Sequence, residues 1–232
     1  MTLDTNQYGQ PIGEAIAHWT ARKSPEPVTL TGNYTLILPL DRTHISDLYT
    51  AYKNSHPSNW TYLPETPPES LAQFENDMLK KINADDFYFF AVLDKVNHKP
   101  LGYFSLMRVN PLHGVVEVGH VNFSDALKQS RISTEAQFLL ATYVFDTLKY
   151  RRYEWKCDAL NAPSMRAAKR LGFIYEGTFK QAVVYKNRSR DTSWFAMLNS
   201  DWPKHKSAMA TWLAEENFDA TGKQIHSLDY FR

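Results

Sequence analysis

Asp158-Ala-Leu-Asn-Ala-Pro-Ser-Met-Arg-Ala-Ala-Lys-Arg-Leu-Gly-Phe-Ile-Tyr-Glu-Gly177 contains a strand end, a capped helix and the start of a second strand in one run. Asn161 offers a side-chain oxygen to the free N–H groups of a first helical turn. Pro163 sits just inside that turn, where its missing N–H has no consequence. Met165, Ala168 and Leu171 recur at helical spacing and make one apolar stripe. Gly172 admits a left-handed stop, and Phe173 begins an extended run. Just upstream, Arg152-Tyr-Glu-Trp-Lys-Cys157 alternates charged and apolar residues, the period-two pattern of a strand with two unlike faces. A strand, a helix and another strand in this order imply layered α/β structure.

The pattern extends in both directions. Residues 34–38 read as a strand, and Ile45, Leu48, Tyr49 and Tyr52 recur at helical spacing. Residues 56–68 form a loop rich in proline and aromatics. Thr66-Pro67-Pro68-Glu69 reads as a capping box opening a helix that carries Leu71, Phe74, Met78 and Ile82. Strands are predicted at 87–93, 100–108 and 115–122. Thr134-Glu135-Ala136-Gln137 reads as a second capping box, its helix turning Ala136, Leu139, Leu140, Tyr143, Val144, Thr147 and Leu148 inward. Strands at 173–186 and 191–199, a helix at 203–213 and a polar tail complete the chain. Residues 1–28 are polar and proline-punctuated, an irregular extension docked by Ile12, Ile16 and Trp19. Nothing splits the sequence, so 1–232 is read as a single domain, an α/β sandwich around a partly parallel sheet.

Composition narrows the function classes. Hydrophobic residues make up 43% and charged residues 22%, as in a soluble globular domain. A formal charge of +1 gives no field that would gather nucleic acid or an anionic membrane. The clusters at 149–152 and 186–190 are short and read as solvated strand ends or turns. Cys157 is the single cysteine, which excludes an internal disulfide and reads as a buried structural thiol. No apolar run reaches membrane-spanning length and no signal-peptide core opens the chain, so the cytoplasm is expected. The eight histidines do not cluster, and no metal is expected. Phosphate-loop, dinucleotide and Gly-x-Ser-x-Gly patterns are missing.

The run from Asn161 to Gly177 resembles the end of the acyl-CoA site in the GCN5-related N-acetyltransferase (GNAT) superfamily, and within it the ribosomal-protein and N-terminal acetyltransferase-like branch. There an Asn-x-x-Ser helix ending in Leu-Gly-Phe, followed by Glu-Gly, closes over the pantetheine arm. The resemblance covers roughly residues 30–202. It implies an α/β fold with a mixed, centrally splayed β-sheet flanked by helices on both faces, the acyl-CoA N-acyltransferase fold. It implies acetyl-CoA as donor and a primary amine as acceptor, either a peptide or protein α-amine or a small amine. Attack would be direct, in a ternary complex, and a homodimer is compatible with this. The alternative from another class is a non-catalytic acyl-CoA-binding or protein-interaction module that kept the fold.

Site residues follow. A pyrophosphate needs free backbone N–H groups and the positive end of a helix dipole. The segment Lys128, Gln129, Ser130, Arg131, Ile132, Ser133, Thr134 is placed to supply them and resembles the superfamily's Gln/Arg-x-x-Gly-x-Gly/Ala loop. Arg131 stands where that loop has its first glycine. If the left-handed conformation persists, arginine costs on the order of 1 kcal/mol there; otherwise it offers a charged fork to the phosphate. The missing glycines are the best support for the non-catalytic alternative. In Val115-Val-Glu-Val-Gly-His-Val121, Glu117 interrupts an apolar strand and either takes a proton from the acceptor ammonium or pairs with a lysine or arginine. His120 is expected on the opposite face, as packing. Backbone N–H groups near Val121 would hold the oxyanion. Ser164, in the first turn after Asn161, either stabilises the departing thiolate or satisfies its own helix. Asn161 serves as cap, pantetheine ligand or both. The loop with His56, Trp60 and Tyr62 is aromatic enough to cover an acceptor, or simply packs.

Overall fold

The computed structural model describes residues 4–232. In chain order its strands are β1 (Asp4–Thr5), β2 (Pro11–Ile12), β3 (Leu30–Thr31), β4 (Thr35–Pro39), β5 (Tyr88–Asp94), β6 (Pro100–Asn110), β7 (Val115–Phe123), β8 (Arg152–Asp158), β9 (Ile174–Tyr185) and β10 (Arg188–Leu198). The helices are α1 (Ile45–Lys53), α2 (Leu71–Ile82), α3 (Arg131–Thr142), α4 (Ala162–Leu171) and α5 (Trp202–Trp212). β1 and β2 make a small hairpin, and the other eight strands form one sheet in the order β3-β4-β5-β6-β7-β8-β10-β9. Every neighbouring pair in that sheet is antiparallel except β7 and β8. That pair is parallel because α3 crosses over between the two strands.

Alternation along the strands feeds two cores. Val116, Val118, Tyr153, Trp155 and Phe195 point to one face, where Ala136 and Leu140 of α3, Ala168 and Leu171 of α4 and Met209 of α5 cover them. Phe89, Ala91, Leu93 and Tyr103 point to the other, under Leu48 and Tyr52 of α1 and Phe74 and Met78 of α2. The predicted α/β sandwich with helices on both faces is therefore the observed one. Among the described residues no helix is long and apolar enough to cross a membrane.

Two helices start elsewhere than predicted. α2 is capped by Ser70, whose Oγ accepts the Gln73 N–H at 3.2 Å. Pro67 and Pro68 bias the residues before them to extended backbone, which leaves Thr66 outside the helix. α3 begins at Arg131 under Ser130, whose Oγ accepts the Ser133 N–H at 3.1 Å. Thr134 therefore lies inside the helix with its hydroxyl on the Ser130 carbonyl, the predicted box of Thr134 with Gln137 does not form, and Glu135 is claimed by another element. Its carboxylate accepts the backbone N–H groups of Asn33, Tyr34 and Thr35, each at 2.7 Å, and so clamps α3 to the β3–β4 turn. After Thr142 the helix widens into a π turn, Tyr143–Thr147, whose extra residue rotates Thr147 into solvent although its spacing predicts it inward. In the N-terminal extension Ile12 and Ile16 are exposed, and Trp19 alone of the three predicted anchors docks. Its Nε1 donates to the Leu112 carbonyl at 2.8 Å, and Arg22 covers its ring.

Candidate active site

β7 and β8 pair only from Val115↔Arg152 to Val118↔Trp155. Beyond that point β7 pairs with β6 alone and β8 with β10 alone, so the sheet parts in its middle. A bulge accompanies the parting: between Tyr103↔Asn122 and Ser105↔Gly119, both His120 and Val121 oppose the single Phe104. Because β7 and β8 run parallel, the helices that follow them, α3 and α4, begin at the same end of the sheet, beside the cleft.

At α3, the N–H groups of Gln129, Ser130, Arg131 and Ile132 meet no protein acceptor among the described residues. Gln129 is the left-handed residue of this segment, with φ 56°. Arg131 is the first residue of the helix, so the expected strain at that position does not arise. Nor does Arg131 form a fork toward the free N–H groups, since its guanidinium lies over the Tyr34 ring, 4.2 Å from the centroid. Lys128 is held by Asp125 at 3.5 Å, and Arg170 of α4 reaches the Thr134 hydroxyl at 3.1 Å. Ser133 and Thr134 turn their hydroxyls back on the Ser130 carbonyl. The hydroxyl of Ser124, fully buried at the start of this loop, has no partner among the described residues. Free N–H groups at a helix start with cations nearby suit a phosphate.

At α4, Asn161 caps as predicted, its Oδ1 accepting the Ser164 N–H at 3.1 Å. Gly172 supplies the left-handed stop at φ 104°. The Ser164 Oγ accepts from Trp155 Nε1 at 3.0 Å, so its hydroxyl proton is left to donate elsewhere, with the Cys157 sulfur within hydrogen-bonding reach. Sequence reasoning missed Trp155 as its positioner, although strict alternation places it on the α4 face of β8. The Cys157 thiol is buried, and burial pushes its pKa up, consistent with an inert structural thiol.

Glu117 lies on the opposite face of β7 from Val116 and Val118. Its Oε2 accepts from Lys156 Nζ at 2.8 Å and lies 3.2 Å from Arg108 Nε. Lys156 also meets Glu154 at 2.8 Å and stands 3.7 Å from the Trp194 ring centroid, and Arg152 continues the row to Glu176. Burial pushes the Glu117 carboxyl up, more than the Lys156 ammonium and Arg108 guanidinium pull it down. Glu154 and Lys156 were legible as the charged face of β8, but their meeting with Glu117 depends on register.

His120 departs from expectation. Its backbone is left-handed, φ 49°, and the bulge swings its ring to the α2 face, against Phe87 and Phe89 at 5.2 Å each. Strict alternation from Glu117 fails once a bulge intervenes. Beside it Lys81 of α2 pairs with Glu65 at 2.5 Å, an encounter across a long loop that no local pattern signals. Glu65, Lys81, Asp77, Lys80, Phe87, Phe89 and His120 line an open cavity of about 440 Å³. The 56–60 loop is tied down on both sides. Asp125 accepts from the His56 N–H and Asn59 Nδ2, and the β9–β10 tip reaches it through Lys186 Nζ, which donates to the Trp60 carbonyl at 2.7 Å.

Residues 35–174 match the acetyltransferase (GNAT) domain. The chain belongs to the GNAT family. A GCN5-related N-acetyltransferase from Brucella melitensis superimposes with a TM-score of 0.91 at 44% identity, covering 93% of this chain and 99% of that one. A probable GNAT acetyltransferase from Chromobacterium violaceum ATCC 12472 gives 0.78 at 36%, covering 84% and 98%. The ribosomal-protein-serine acetyltransferase of Escherichia coli K12 is 32% identical over 98 residues, 42% of this chain and 54% of that relative. GNAT chemistry, transfer of an acetyl group from acetyl-CoA to an amine, is thus the class to which the site belongs.

Proposed function

We propose that this GNAT protein acetylates a primary amine, a peptide or protein α-amine or a small amine, by direct attack on acetyl-CoA in a ternary complex in the cytoplasm. The observation that carries the reading is the parted β7–β8 pair with two helix N-termini at one end of the cleft. Acetyl-CoA supplies a thioester carbonyl and a thiolate leaving group. The free N–H groups of Gln129 to Ile132 hold the pyrophosphate, with Lys128, Ser133 and Thr134 around it. Asn161 orders the first turn of α4 and binds the pantetheine arm. The Val121 N–H, in the bulge, stabilises the oxyanion. Ser164, fixed by Trp155, donates to the thiolate as charge develops. The amine approaches from the α2 face, where Glu117 and His120 stand. The non-catalytic alternative drew on the missing loop glycines, and the left-handed Gln129 meets that conformational need without them.

The test is thiol release from acetyl-CoA with a panel of peptides and small amines, products identified by mass spectrometry. Transfer to at least one amine is expected; tight acetyl-CoA binding with no transfer to any acceptor would return the protein to the binding-module class.

A further inference from the structure

We infer that His120 is the group that takes the proton from the acceptor amine, with Glu65 and Lys81 positioning and tuning it. The inference rests on the acetyltransferase reading above. Three observations distinguish His120 from Glu117. Glu117 stands where β7 and β8 are still paired, opposite Glu154, with its side chain 7% exposed and one oxygen shared by two cations. His120 stands where the strands have parted, one residue before Val121, and lines the open cavity. Its left-handed backbone, at the bulge, turns the ring out of the strand's alternation and toward that cavity.

The surroundings fit a neutral imidazole. Phe87 and Phe89 bury the ring, and burial, followed by the Lys81 ammonium, lowers its pKa, while Glu65, with Oε1 3.9 Å from Nδ1, works in the opposite direction. Asp77 and Lys80, the other charged groups of α2 at the cavity, pair with each other at 3.0 Å. An imidazole is therefore free at neutral pH to accept the ammonium proton, leaving an amine lone pair to attack the thioester carbon. As the C–S bond breaks, the departing thiolate, steadied by Ser164, takes the second N–H proton of the tetrahedral adduct, leaving the neutral amide and the CoA thiol, and the first proton passes from His120 to solvent through the cavity.

His120→Asn tests this, because asparagine tolerates a left-handed backbone yet does not accept a proton near neutrality. Acetyl-CoA affinity and melting temperature are expected to hold while kcat/KM falls about 100-fold or more at pH 7. The deficit should shrink as pH approaches the acceptor's own pKa, about 8 for an α-amine. The tuning pair gives a readout that a structural role would not move. Glu65→Gln should shift the acid limb of the wild-type pH profile to lower pH, and Lys81→Met should shift it to higher pH. The inference is overturned if His120→Asn stays within about threefold of wild type, if Glu117→Gln rather than His120→Asn removes the acid limb, or if the limb does not move in opposite directions in the tuning variants. Wild-type protein that binds acetyl-CoA but acetylates nothing overturns the acetyltransferase reading as well; turnover without a His120 effect overturns this inference alone.

Discussion

Glu135→Gln is expected to destabilise the fold by about 3 kcal/mol, a figure that follows from where its carboxylate oxygens point. Oε2 accepts the N–H groups of Tyr34 and Thr35, and Oε1 accepts that of Asn33. A glutamine can keep its oxygen over the first two donors, but its NH₂ then faces the Asn33 N–H, donor against donor. One hydrogen bond to a charged group is lost, about 1.5–3 kcal/mol, and two are weakened by loss of the charge. In a domain of this size that is a fall in melting temperature of roughly 6–12 °C. Glu135→Ala should cost more, since the buried Thr35 N–H is left without water. Gly32 provides an internal control. A Cβ there would stand 2.3 Å from the Glu135 carboxylate carbon, which cannot swing aside without releasing its three donors. Gly32→Ala should therefore destabilise the wild type strongly and the Glu135→Ala variant far less, a coupling readable in a double-mutant cycle by urea unfolding. A Glu135→Gln loss below about 0.5 kcal/mol, or strict additivity with Gly32→Ala, would refute the clamp.

Other expectations follow from the same geometry. Lys156→Met should cost less in denaturant unfolding than the roughly 3–5 kcal/mol of a fully stripped buried charge, because it leaves Glu117 and Glu154 facing each other but each still paired with an arginine, Arg108 and Arg152, and adding Glu117→Gln should recover part of the loss. Ser164→Ala should lower kcat roughly 10²- to 10³-fold with acetyl-CoA affinity retained by calorimetry, and full activity would remove the hydroxyl from the mechanism. Asn161→Ala should instead lose about 1 kcal/mol of stability and acetyl-CoA affinity together. Asp125 is held below the usual carboxylate range, first by the His56 N–H and then by Asn59, so its hold on the 56–60 loop is complete above the ordinary aspartate pKa and is lost as pH falls through the lowered one. Asp125→Asn should accordingly raise hydrogen exchange in that loop at neutral pH, as acid does in the wild type.

What could be read from the sequence was what local pattern encodes. The capped α4, its glycine stop and the alternating β8 came through because cap, period and stop residue agreed. The starts of α2 and α3 did not, since hydroxyl residues able to cap occur at competing offsets: Ser70 with Gln73 prevailed over Thr66 with Glu69, and Ser130 took the cap ahead of Thr134, while Glu135 went to the β3–β4 turn. The loop before α3 that we propose for the phosphate was picked out by pattern, but its left-handed residue is Gln129 rather than Arg131, because a helix start can slide by a residue or two without changing composition. His120 was misplaced for a related reason. One extra residue in β7 inverts the facing of all that follows, and nothing in Val118-Gly-His-Val121 announces it. The Glu65–Lys81 pair and the row from Arg108 to Glu176 depend on register between distant segments, which a single sequence does not record.

The parting of β7 from β8 has a consequence for how the molecule survives in a cell. An intact sheet leaves backbone unpaired only at its rims, whereas this one carries two bare edges in its interior, facing each other across a gap. An extended ligand lying between them acts as a missing strand and binds the folded chain but not the unfolded one. At a free concentration a hundred times its dissociation constant, such a ligand adds about 2.7 kcal/mol of stability. The stability of the protein would then track the supply of CoA, acetylated or not, since both forms carry the arm that fills the gap.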